Sequence, residues 1–293
     1  INAMAYDPLA KRLHDPFGGE ADLENRLIRA VGVASERFSE DGLRIMRAVR
    51  FVSTLGFRLE PATEAALSSA LVALSKVAQE RVRVELLKLL GGTEPVPALK
   101  IAAQSGILGV ILPELDGEPE LAFERVEHTP LDAVLRMASL LAALEFETIE
   151  PILRRLTMSN EDRQRVMATL RFHREFFEIG ASEQEMRGHL SRVGRKSAAD
   201  HLEVIRAVAA CRPTSPSLEA IARAESVLHS GAALEIGELA ISGHRLMEVS
   251  GAKGKLIGEV FRQLLQQVLD DPSLNQAATL ESMAVQFASD LEA

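Results

Sequence analysis

Three arginines recur at three-residue intervals in the segment ERFSEDGLRIMRAVRF, and an aspartate precedes them. With roughly 100° per residue on a helical wheel, Arg44, Arg47 and Arg50 fall on one face, and Asp41 lies one turn before Arg44. A carboxylate only accepts hydrogen bonds, and a guanidinium only donates them. A rigid Asp–Arg pair therefore matches the edge of cytosine or adenine, where an amino donor adjoins a ring-nitrogen acceptor, and mismatches uracil and guanine.

A surface helix with a solvated basic stripe is the simpler interpretation of the same spacing, and composition alone favours it. Apolar side chains flank the arginine face, with Phe51 and Leu55 close to Arg44 on the wheel. Guanidinium groups in apolar surroundings require fixed acceptors, either carboxylates of this chain or groups of a bound ligand. For Arg50, the carboxylates considered as anchors are Glu36, Glu40 and Glu80.

The composition indicates a mainly helical protein. Apolar residues make up 47% of the 293 residues, with one Tyr, no Trp and few β-branched runs, and the length allows one to three domains. The single cysteine, Cys211, excludes an internal disulfide and fits a reducing compartment, so we expect a cytoplasmic protein. No run of about 18 apolar residues occurs, and we therefore expect no membrane partner.

The net charge of −9 is unevenly distributed along the chain. Residues 1–100 hold 14 Lys and Arg against 13 Asp and Glu, so the later residues carry the negative excess. The net charge argues weakly against a nucleic-acid partner, but local patches decide such contacts. The arginines that could meet a phosphate or a base are concentrated in the first third.

Turn and capping signals divide the chain into elements. We predict a short strand at 27–31 and breaks at 211–217 and 270–275, of which the first is the better linker candidate. Helices are predicted, with approximate bounds, at 36–55, 61–73, 77–91, 98–105, 119–126, 130–144, 148–156, 160–178, 183–192, 196–211, 216–230, 243–248 and 256–269.

Several ordered segments resemble the class II tRNA nucleotidyltransferases, the family of the CCA-adding enzymes and the bacterial poly(A) polymerases. INAMAYDP is similar to the second half of a motif whose first half is RRDFT, and DPFGGEADLENRLIRAVG is similar to the segment that follows it. RFSEDGLRIMRAVRFVSTLGF resembles the EDxxR nucleotide-template motif, and SKVAQERVRVELLKLL resembles the ERI motif that supports it. ISGHRLMEVSGAKGKLIGEVFRQLLQQVLDDPSLN resembles the tail region, whereas residues 115–230 match only in helical character.

The resemblance implies a mainly all-α fold, with a helical neck, body and tail and a small α/β remnant of a head domain at the N-terminus. The implied divisions are 1–31 for the head remnant, 32–95 for the neck with the template motif, 96–211 for the body and 212–293 for the tRNA-binding tail. The body includes a degenerate HD-like region, because Ala142 and Ala143 stand where that module has its His-Asp metal ligands.

The resemblance also implies roles for individual residues. Asp41 and Arg44 look like the amino-acid template for the incoming base. Arg47 and Arg50 look like further nucleotide contacts, to the triphosphate or to supporting carboxylates. Asn2 falls in the nucleotide-facing motif, near the sugar or holding the loop. Structural support of the template helix is implied for Glu40, Glu80 and Arg81.

The chemistry of the family is Mg²⁺-dependent phosphoryl transfer, which requires a glycine-rich phosphate loop and an Asp-x-Asp pair. No Asp-x-Asp occurs in this sequence, and the family's RRD is absent as well. We therefore assign no catalytic residue and no metal ligand here, and expect the Mg²⁺-binding head to precede Ile1. We expect the chain alone to be inactive, whereas the parent enzyme uses ATP and CTP as substrates and tRNA as partner.

Two lysines flank a glycine in SGAKGKLIGE, near the C-terminal end. Lys253 and Lys255 lie on a glycine-rich turn just before a predicted helix, where free backbone amides and two ammonium groups favour an anion. A contact with the tRNA backbone and a solvated loop fit this pattern equally well. No aromatic side chain accompanies the turn, so base readout is not expected there.

The implied function is addition of CMP and AMP to the 3′ end of tRNA, with this segment supplying base selection and tRNA binding. A poly(A) polymerase, or an enzyme that adds only CC or only A, is an alternative within the same chemistry. A non-catalytic helical RNA-binding or protein-interaction module is an alternative of another class. The sequence does not predict the oligomeric state.

Overall fold

The structure is a computed structural model that describes residues 3–115, 119–180, 182–211 and 217–292. Within those ranges the chain is mainly helical, which confirms the predicted fold class. The chain divides into two compact units, Ile1–Met167 and Ala168–Ala293, and the four-part division expected from the sequence stays a prediction. The helices are α1 (Gly19–Glu24), α2 (Ala34–Glu40), α3 (Leu43–Leu55), α4 (Pro61–Ala65), α5 (Leu71–Leu74), α6 (Gln79–Leu90), α7 (Pro95–Gln104), α8 (Ile107–Ile111), α9 (Pro119–Glu127), α10 (Ala133–Leu141), α11 (Phe146–Arg155), α12 (Asn160–Leu170), α13 (Glu183–Val193), α14 (Arg195–Ala210), α15 (Ser217–His229), α16 (Gly243–Ser250), α17 (Lys255–Asp270) and α18 (Ala277–Glu292).

Two small sheets accompany the helices of the first unit. Strand β1 (Ala5–Asp7) pairs antiparallel with β2 (Arg12–His14), and β3 (Leu27–Ile28) pairs parallel with β4 (Arg58–Leu59). The strand predicted at 27–31 is therefore only two residues long, because its partner β4 is equally short. The β1–β2 hairpin was not predicted.

The helix predicted over 36–55 is two helices, α2 and α3, which is the main correction to the predicted elements. The backbone of Asp41 is extended, with φ −148° and ψ 104°, and Gly42 follows it before α3 begins. A Cβ at Gly42 would lie 2.3 Å from backbone atoms of Ala73 and of Leu74. The chain therefore turns at a residue without a side chain, which this close approach requires.

Smaller differences occur elsewhere. The helix predicted at 61–73 is α4, a 3-10 segment at Leu67–Ala70 and α5, and the helix predicted at 160–178 ends at Leu170. The helices α1, α8 and α18 were not predicted. Across the described ranges, no helix combines the length and the apolar character that crossing a membrane requires.

Helix α6 lies in the core of the first unit, between α3 and α10 as packing partners. It packs against α3 and α10, and α3 also packs against α7. Ile45 and Val49 of α3 and Leu86 and Leu89 of α6 are fully buried. Displacing α6 would therefore disturb the packing of α3, the helix that follows Asp41.

The core of the second unit contains a pair of buried histidines. His189 on α13 and His201 on α14 lie with their Nε2 atoms 2.9 Å apart, and Nδ1 of His201 lies 2.8 Å from the carbonyl oxygen of Thr169. A donated hydrogen bond from Nδ1 to Thr169 makes Nε2 of His201 an acceptor, which fixes His189 as the Nε2 donor. Both rings contact Phe176, so the pair is neutral in an apolar setting.

We expect the second unit to lose stability as the pH falls. Burial lowers the pKa of His189 to about 3 and that of His201 to about 4, well below the value in the unfolded chain. Between pH 7 and pH 5 each histidine takes up a proton in the unfolded state but not in the folded state, which should lower the free energy of unfolding by about 2 kcal/mol per histidine. Urea unfolding at several pH values measures this loss. His189→Phe should reduce the dependence of the free energy of unfolding on pH, whereas replacing the exposed His229 by glutamine should leave it unchanged. The same pH dependence in the wild type and in both variants would contradict the lowered pKa values of the histidine pair.

Candidate nucleotide-selection site

Asp41 lies in the turn between α2 and α3, and both of its carboxylate oxygens have partners. Oδ1 accepts a hydrogen bond from the Leu43 N–H at 3.0 Å, and Oδ2 accepts one from Nη2 of Arg81 at 3.1 Å. Partial burial raises the pKa of Asp41, but the bond from Leu43 and the pairing with Arg81 more than offset this, so the pKa lies below its usual value. The side chain is still 34% exposed, which leaves an ionised acceptor that a ligand can reach.

Arg44 lies on the first turn of α3 and is held through one of its nitrogens. Nη1 donates to Oε2 of Glu40 at 2.6 Å and to the carbonyl oxygen of Arg37 at 2.8 Å. The hydrogen bond from Arg44 is the largest cause of the lowered pKa of Glu40, which also accepts from Nη1 of Arg37 at 2.7 Å. Nε and Nη2 of Arg44 make no hydrogen bond with the described residues, so their donors are available.

The two predicted template residues are adjacent, but they are not paired with each other. The sequence predicted Asp41 and Arg44 on one helix. In the structure Asp41 precedes α3, and its backbone carbonyl accepts the Arg44 N–H at 2.9 Å. The positive charge of Arg44 is one of the causes that lower the pKa of Asp41, after the bond from Leu43 and the pairing with Arg81. The break between α2 and α3 therefore carries an acceptor and a donor, each fixed by another residue.

Arg50 meets a carboxylate of this chain. Its Nε lies 2.9 Å from Oε2 of Glu85 on α6, both side chains are at most 14% exposed, and its guanidinium lies 4.2 Å from the centre of the Phe51 ring. Glu85 was not among the carboxylates predicted as anchors, so the predicted identity of the anchor was wrong, and the nucleotide contact predicted for Arg50 stays a prediction. The sequence signal that could have identified Glu85 is a lone carboxylate among apolar residues, four positions after Arg81 and on the same helix face.

Two further predicted residues of the first unit, Arg47 and Glu80, have no such partners among the described residues. The side chains of Arg47 and Glu80 are exposed and make no ion pair or hydrogen bond with the part of the chain that the structure describes. Asn2 lies outside the described residues. The roles predicted for Arg47, Glu80 and Asn2 stay predictions.

Lys253 and Lys255 flank the start of α17 in the second unit. Gly254 lies between them with φ +57°, a conformation that favours glycine, and no side chain caps the first turn of α17. Both lysines are exposed, and neither forms an ion pair with the described carboxylates. The turn therefore combines two ammonium groups with the uncapped N-terminus of a helix.

A cavity of about 340 Å³ lies beside the α2–α3 face of the first unit. Arg37 contributes to its wall, and through Glu40 this arginine is connected to Arg44. Asp41 and Arg44 do not line the cavity themselves. Other side chains of its wall are Asp22, Leu23, Arg29, Phe51 and Leu55.

Two family models match the chain. Residues 56–118 match a model described as "Probable RNA and SrmB- binding site of polymerase A", and residues 134–284, just over half of the chain, match "tRNA nucleotidyltransferase domain 2". A CCA-adding enzyme from Lactobacillus delbrueckii subsp. bulgaricus is 31% identical over 290 residues, which are 97% of this chain and 70% of the relative. The chain belongs to the CCA-adding enzyme family. The resemblance carried by the sequence motifs is thereby confirmed.

Other CCA-adding enzymes match with higher identity over shorter segments. That of Geobacillus kaustophilus is 34% identical over 262 residues, 86% of this chain and 61% of the relative. That of Geobacillus stearothermophilus is 42% identical over 164 residues, 55% of this chain and 40% of the relative. The chain thus spans 40% to 70% of the length of these three CCA-adding enzymes.

Solved structures of CCA-adding enzymes share the fold. The enzyme from Bacillus stearothermophilus in complex with CTP matches with a TM-score of 0.76 and 28% identity, over 99% of this chain and 72% of that chain. The Thermotoga maritima enzyme complexed with tRNA matches with a TM-score of 0.71 and 22% identity, over 97% and 71%. The second likeness supports the fold alone.

Proposed function

We propose that this chain selects the incoming nucleotide and holds the tRNA within an enzyme that adds CMP and AMP to the 3′ end of tRNA. The observation that carries the proposal is the support given to the side chains of Asp41 and Arg44. The Leu43 N–H and Arg81 hold the carboxylate of Asp41, and Glu40 holds the guanidinium of Arg44. Groups that are fixed before the ligand arrives can discriminate between ligands, because no reorganisation offsets a good match.

The free hydrogen-bonding capacity of the two side chains fits cytosine and adenine. Each carboxylate oxygen of Asp41 has a second lone pair, and Arg44 has free donors on Nε and Nη2. The amino group of cytosine or adenine would donate to Asp41, and the adjacent ring nitrogen would accept from Arg44. Uracil or guanine would set acceptor against acceptor and donor against donor, at a cost of about 1–3 kcal/mol for each unsatisfied group.

An incorporation assay tests the proposal. In the complete enzyme that contains this chain, with tRNA lacking its terminal CCA, we expect incorporation from CTP and ATP and background levels from UTP and GTP. Isothermal titration of the chain itself with the four triphosphates should give the same preference. Incorporation of all four nucleotides at similar rates would contradict the proposal.

We assign the Mg²⁺-dependent step to a part of the enzyme outside this sequence. The sequence has no Asp-x-Asp pair, and within the described ranges no group of three or more His, Cys, Asp or Glu side chains could hold a metal ion. The matched relatives are longer than this chain, which is consistent with a further catalytic part. We expect the chain alone to bind nucleotide and tRNA without transferring a nucleotide.

A poly(A) polymerase is the second candidate, because the model matched by residues 56–118 is described as a site of polymerase A. The two activities differ in their products. With ATP alone and tRNA ending in CC, we expect the complete enzyme to add a single A, whereas a poly(A) polymerase would add a long tail. Retained tRNA binding without any incorporation would instead favour a non-catalytic RNA-binding module.

We expect Lys253 and Lys255 to bind the phosphate backbone of tRNA. Lys253→Ala and Lys255→Ala should each weaken tRNA binding by this chain. Each should also make the plot of log affinity against log salt less steep by roughly 0.7–0.9, because one phosphate contact fewer means fewer counterions released on binding. Gel shifts at several salt concentrations measure the slope. Lys196→Ala, an exposed lysine of the same unit, is the control, and the same slope in all variants would rule out the contact.

A further inference from the structure

The guanidinium of Arg136 is buried, and its partners are carbonyl oxygens. Arg136 lies on α10 and is 7% exposed. Its Nη1 donates to the carbonyl of Leu90 at 2.8 Å and to that of Gly92 at 2.7 Å, and its Nε lies 3.3 Å from the carbonyl of Thr129. Among the described residues, no carboxylate lies within ion-pair distance of it. A buried cation without a carboxylate requires another source of negative potential.

The C-terminus of α6 supplies that potential. The last carbonyl groups of a helix have no partner within the helix, and they carry the negative end of its dipole. Leu90 is the last residue of α6, and Gly92 lies two positions beyond it. Arg136 therefore caps α6 and attaches its C-terminus to α10 through two hydrogen bonds from one nitrogen, Nη1.

Helix α6 also carries the side chains that fix the candidate nucleotide-selection site. Arg81, near its N-terminus, binds the carboxylate of Asp41, and Glu85, one turn further on, pairs with Arg50 of α3. A shift of α6 along its axis would move both of these contacts together. The position of Asp41 thus depends on where α6 is held.

A second connection runs from the end of α6 to α3. The hydroxyl of Ser53 donates to the carbonyl of Leu89 at 2.5 Å, and the carbonyl of Ser53 accepts the Glu94 N–H at 3.0 Å. Gly92 packs so closely on Ser53 that a Cβ there would lie 2.1 Å from the Ser53 hydroxyl oxygen. Residues 89–92, which accept the hydrogen bonds of Arg136, are therefore also the residues that contact Ser53 of α3.

We propose that Arg136 is a positioning residue for base selection, which acts by fixing α6 and through it Asp41 and Arg50. This inference rests on the proposed function of the site. Arg136 lies in the part of the chain matched by the tRNA nucleotidyltransferase model, whereas α6 lies in the part matched by the RNA-binding model. The contact therefore joins the two matched regions within the first unit. Reading a base requires positional accuracy well below 1 Å, and such accuracy depends on supporting contacts of this kind.

The test compares two substitutions at Arg136 in the complete enzyme. Arg136→Met fills the same space and leaves the two carbonyls without a donor, and we expect the ratio of kcat/KM for CTP to that for UTP to fall about tenfold. Arg136→Lys retains the charge but lacks the Nε that contacts the Thr129 carbonyl, so an intermediate loss is expected. The KM for tRNA should stay within twofold of the wild-type value in both variants.

Arg155→Met is the matched control. Arg155, in the same unit, donates to the carbonyl of Ile111 and to Glu114, and it makes no hydrogen bond to α6. Arg155→Met should lower the thermal midpoint of unfolding, as Arg136→Met does, and leave the ratio of kcat/KM for CTP to that for UTP unchanged. An equal fall in selectivity in both arginine-to-methionine variants would reduce Arg136 to a stabilising residue and overturn the assignment.

Asp41→Ala separates failure of this inference from failure of the proposed function. If Asp41→Ala loses selectivity while the folded Arg136 variants retain it, the positioning role is wrong and the proposed function stands. If Arg136→Met fails to fold, Arg136→Lys decides, and wild-type selectivity in that variant overturns the positioning role. If Asp41→Ala itself keeps wild-type selectivity, both the inference and the proposed function are wrong.

Discussion

Asp41→Ala in the complete enzyme should raise incorporation of UMP and GMP relative to CMP and AMP by roughly 10- to 100-fold. The range corresponds to about 1–3 kcal/mol, the usual discrimination of a well-oriented pair of hydrogen bonds to a base edge. The alanine removes the proposed acceptor for the amino group of the base, and Arg81 then loses its partner at 3.1 Å. Steady-state kcat/KM values with each of the four triphosphates give the ratios.

Asp41→Asn is the control that separates selectivity from stability. The amide oxygen of asparagine can still accept from the Leu43 N–H, a bond that contributes about 1 kcal/mol, so the folded state should be retained. The amide also offers a donor where the base presents its amino donor, and selectivity should therefore fall as in Asp41→Ala. Unchanged C and A preference in both variants would show that Asp41 does not read the base.

Gly42→Ala should destabilise the first unit by about 3 kcal/mol and also reduce base selectivity. Gly42 has φ −58° and ψ −21°, which alanine adopts without strain, so the expected effect comes from contact alone. A methyl group there would overlap backbone atoms of Ala73 and Leu74, which, unlike a flexible side chain, cannot move aside. Overpacking of this kind usually costs 1–3 kcal/mol, about the upper end of that range where backbone must shift. Urea unfolding measures the loss.

Gly109→Ala is the matched control in the same unit. Gly109 lies on α8 and is exposed, and a Cβ there would meet no atom within 4 Å. Alanine should stabilise this helical position by up to about 1 kcal/mol, because glycine loses more conformational freedom on folding. A loss below about 0.5 kcal/mol in Gly42→Ala, close to the usual effect of a surface substitution, would show that α3 and α5 do not approach closely at this point.

The sequence predicted most helices of the described ranges but not the break that shapes the candidate site. The apolar spacing typical of a helix runs from Leu43 to Leu55, and the prediction extended this helix back to 36 across residues 39–42, where SEDG holds no apolar residue. The interruption at Asp41 and Gly42 depends on the close approach of Ala73 and Leu74, which lie more than thirty positions later. A contact between distant positions leaves no periodic signal in either segment.

The candidate site was predictable in its residue types and not in its pairings. The acceptor and donor character of Asp41 and Arg44 follows from the side chains alone. Glu40 and Arg81 were predicted as supporting residues, but which side chain each one holds was not predicted, because Arg81 reaches Asp41 from α6 and Glu40 meets Arg44 across the break between α2 and α3. The histidine pair of the second unit escaped prediction for the same reason, since His189 and His201 meet from different helices.

In the proposed function, the carboxylate of Asp41 receives the amino group of the base. The most direct measurement uses CTP and an analogue in which hydrogen replaces the 4-amino group, each with the wild-type enzyme and with Asp41→Ala. We expect the wild type to prefer CTP by roughly tenfold or more in kcat/KM, and Asp41→Ala to use both within twofold. An equal preference for CTP in the two enzymes would contradict the account, because the amino group would then be recognised elsewhere.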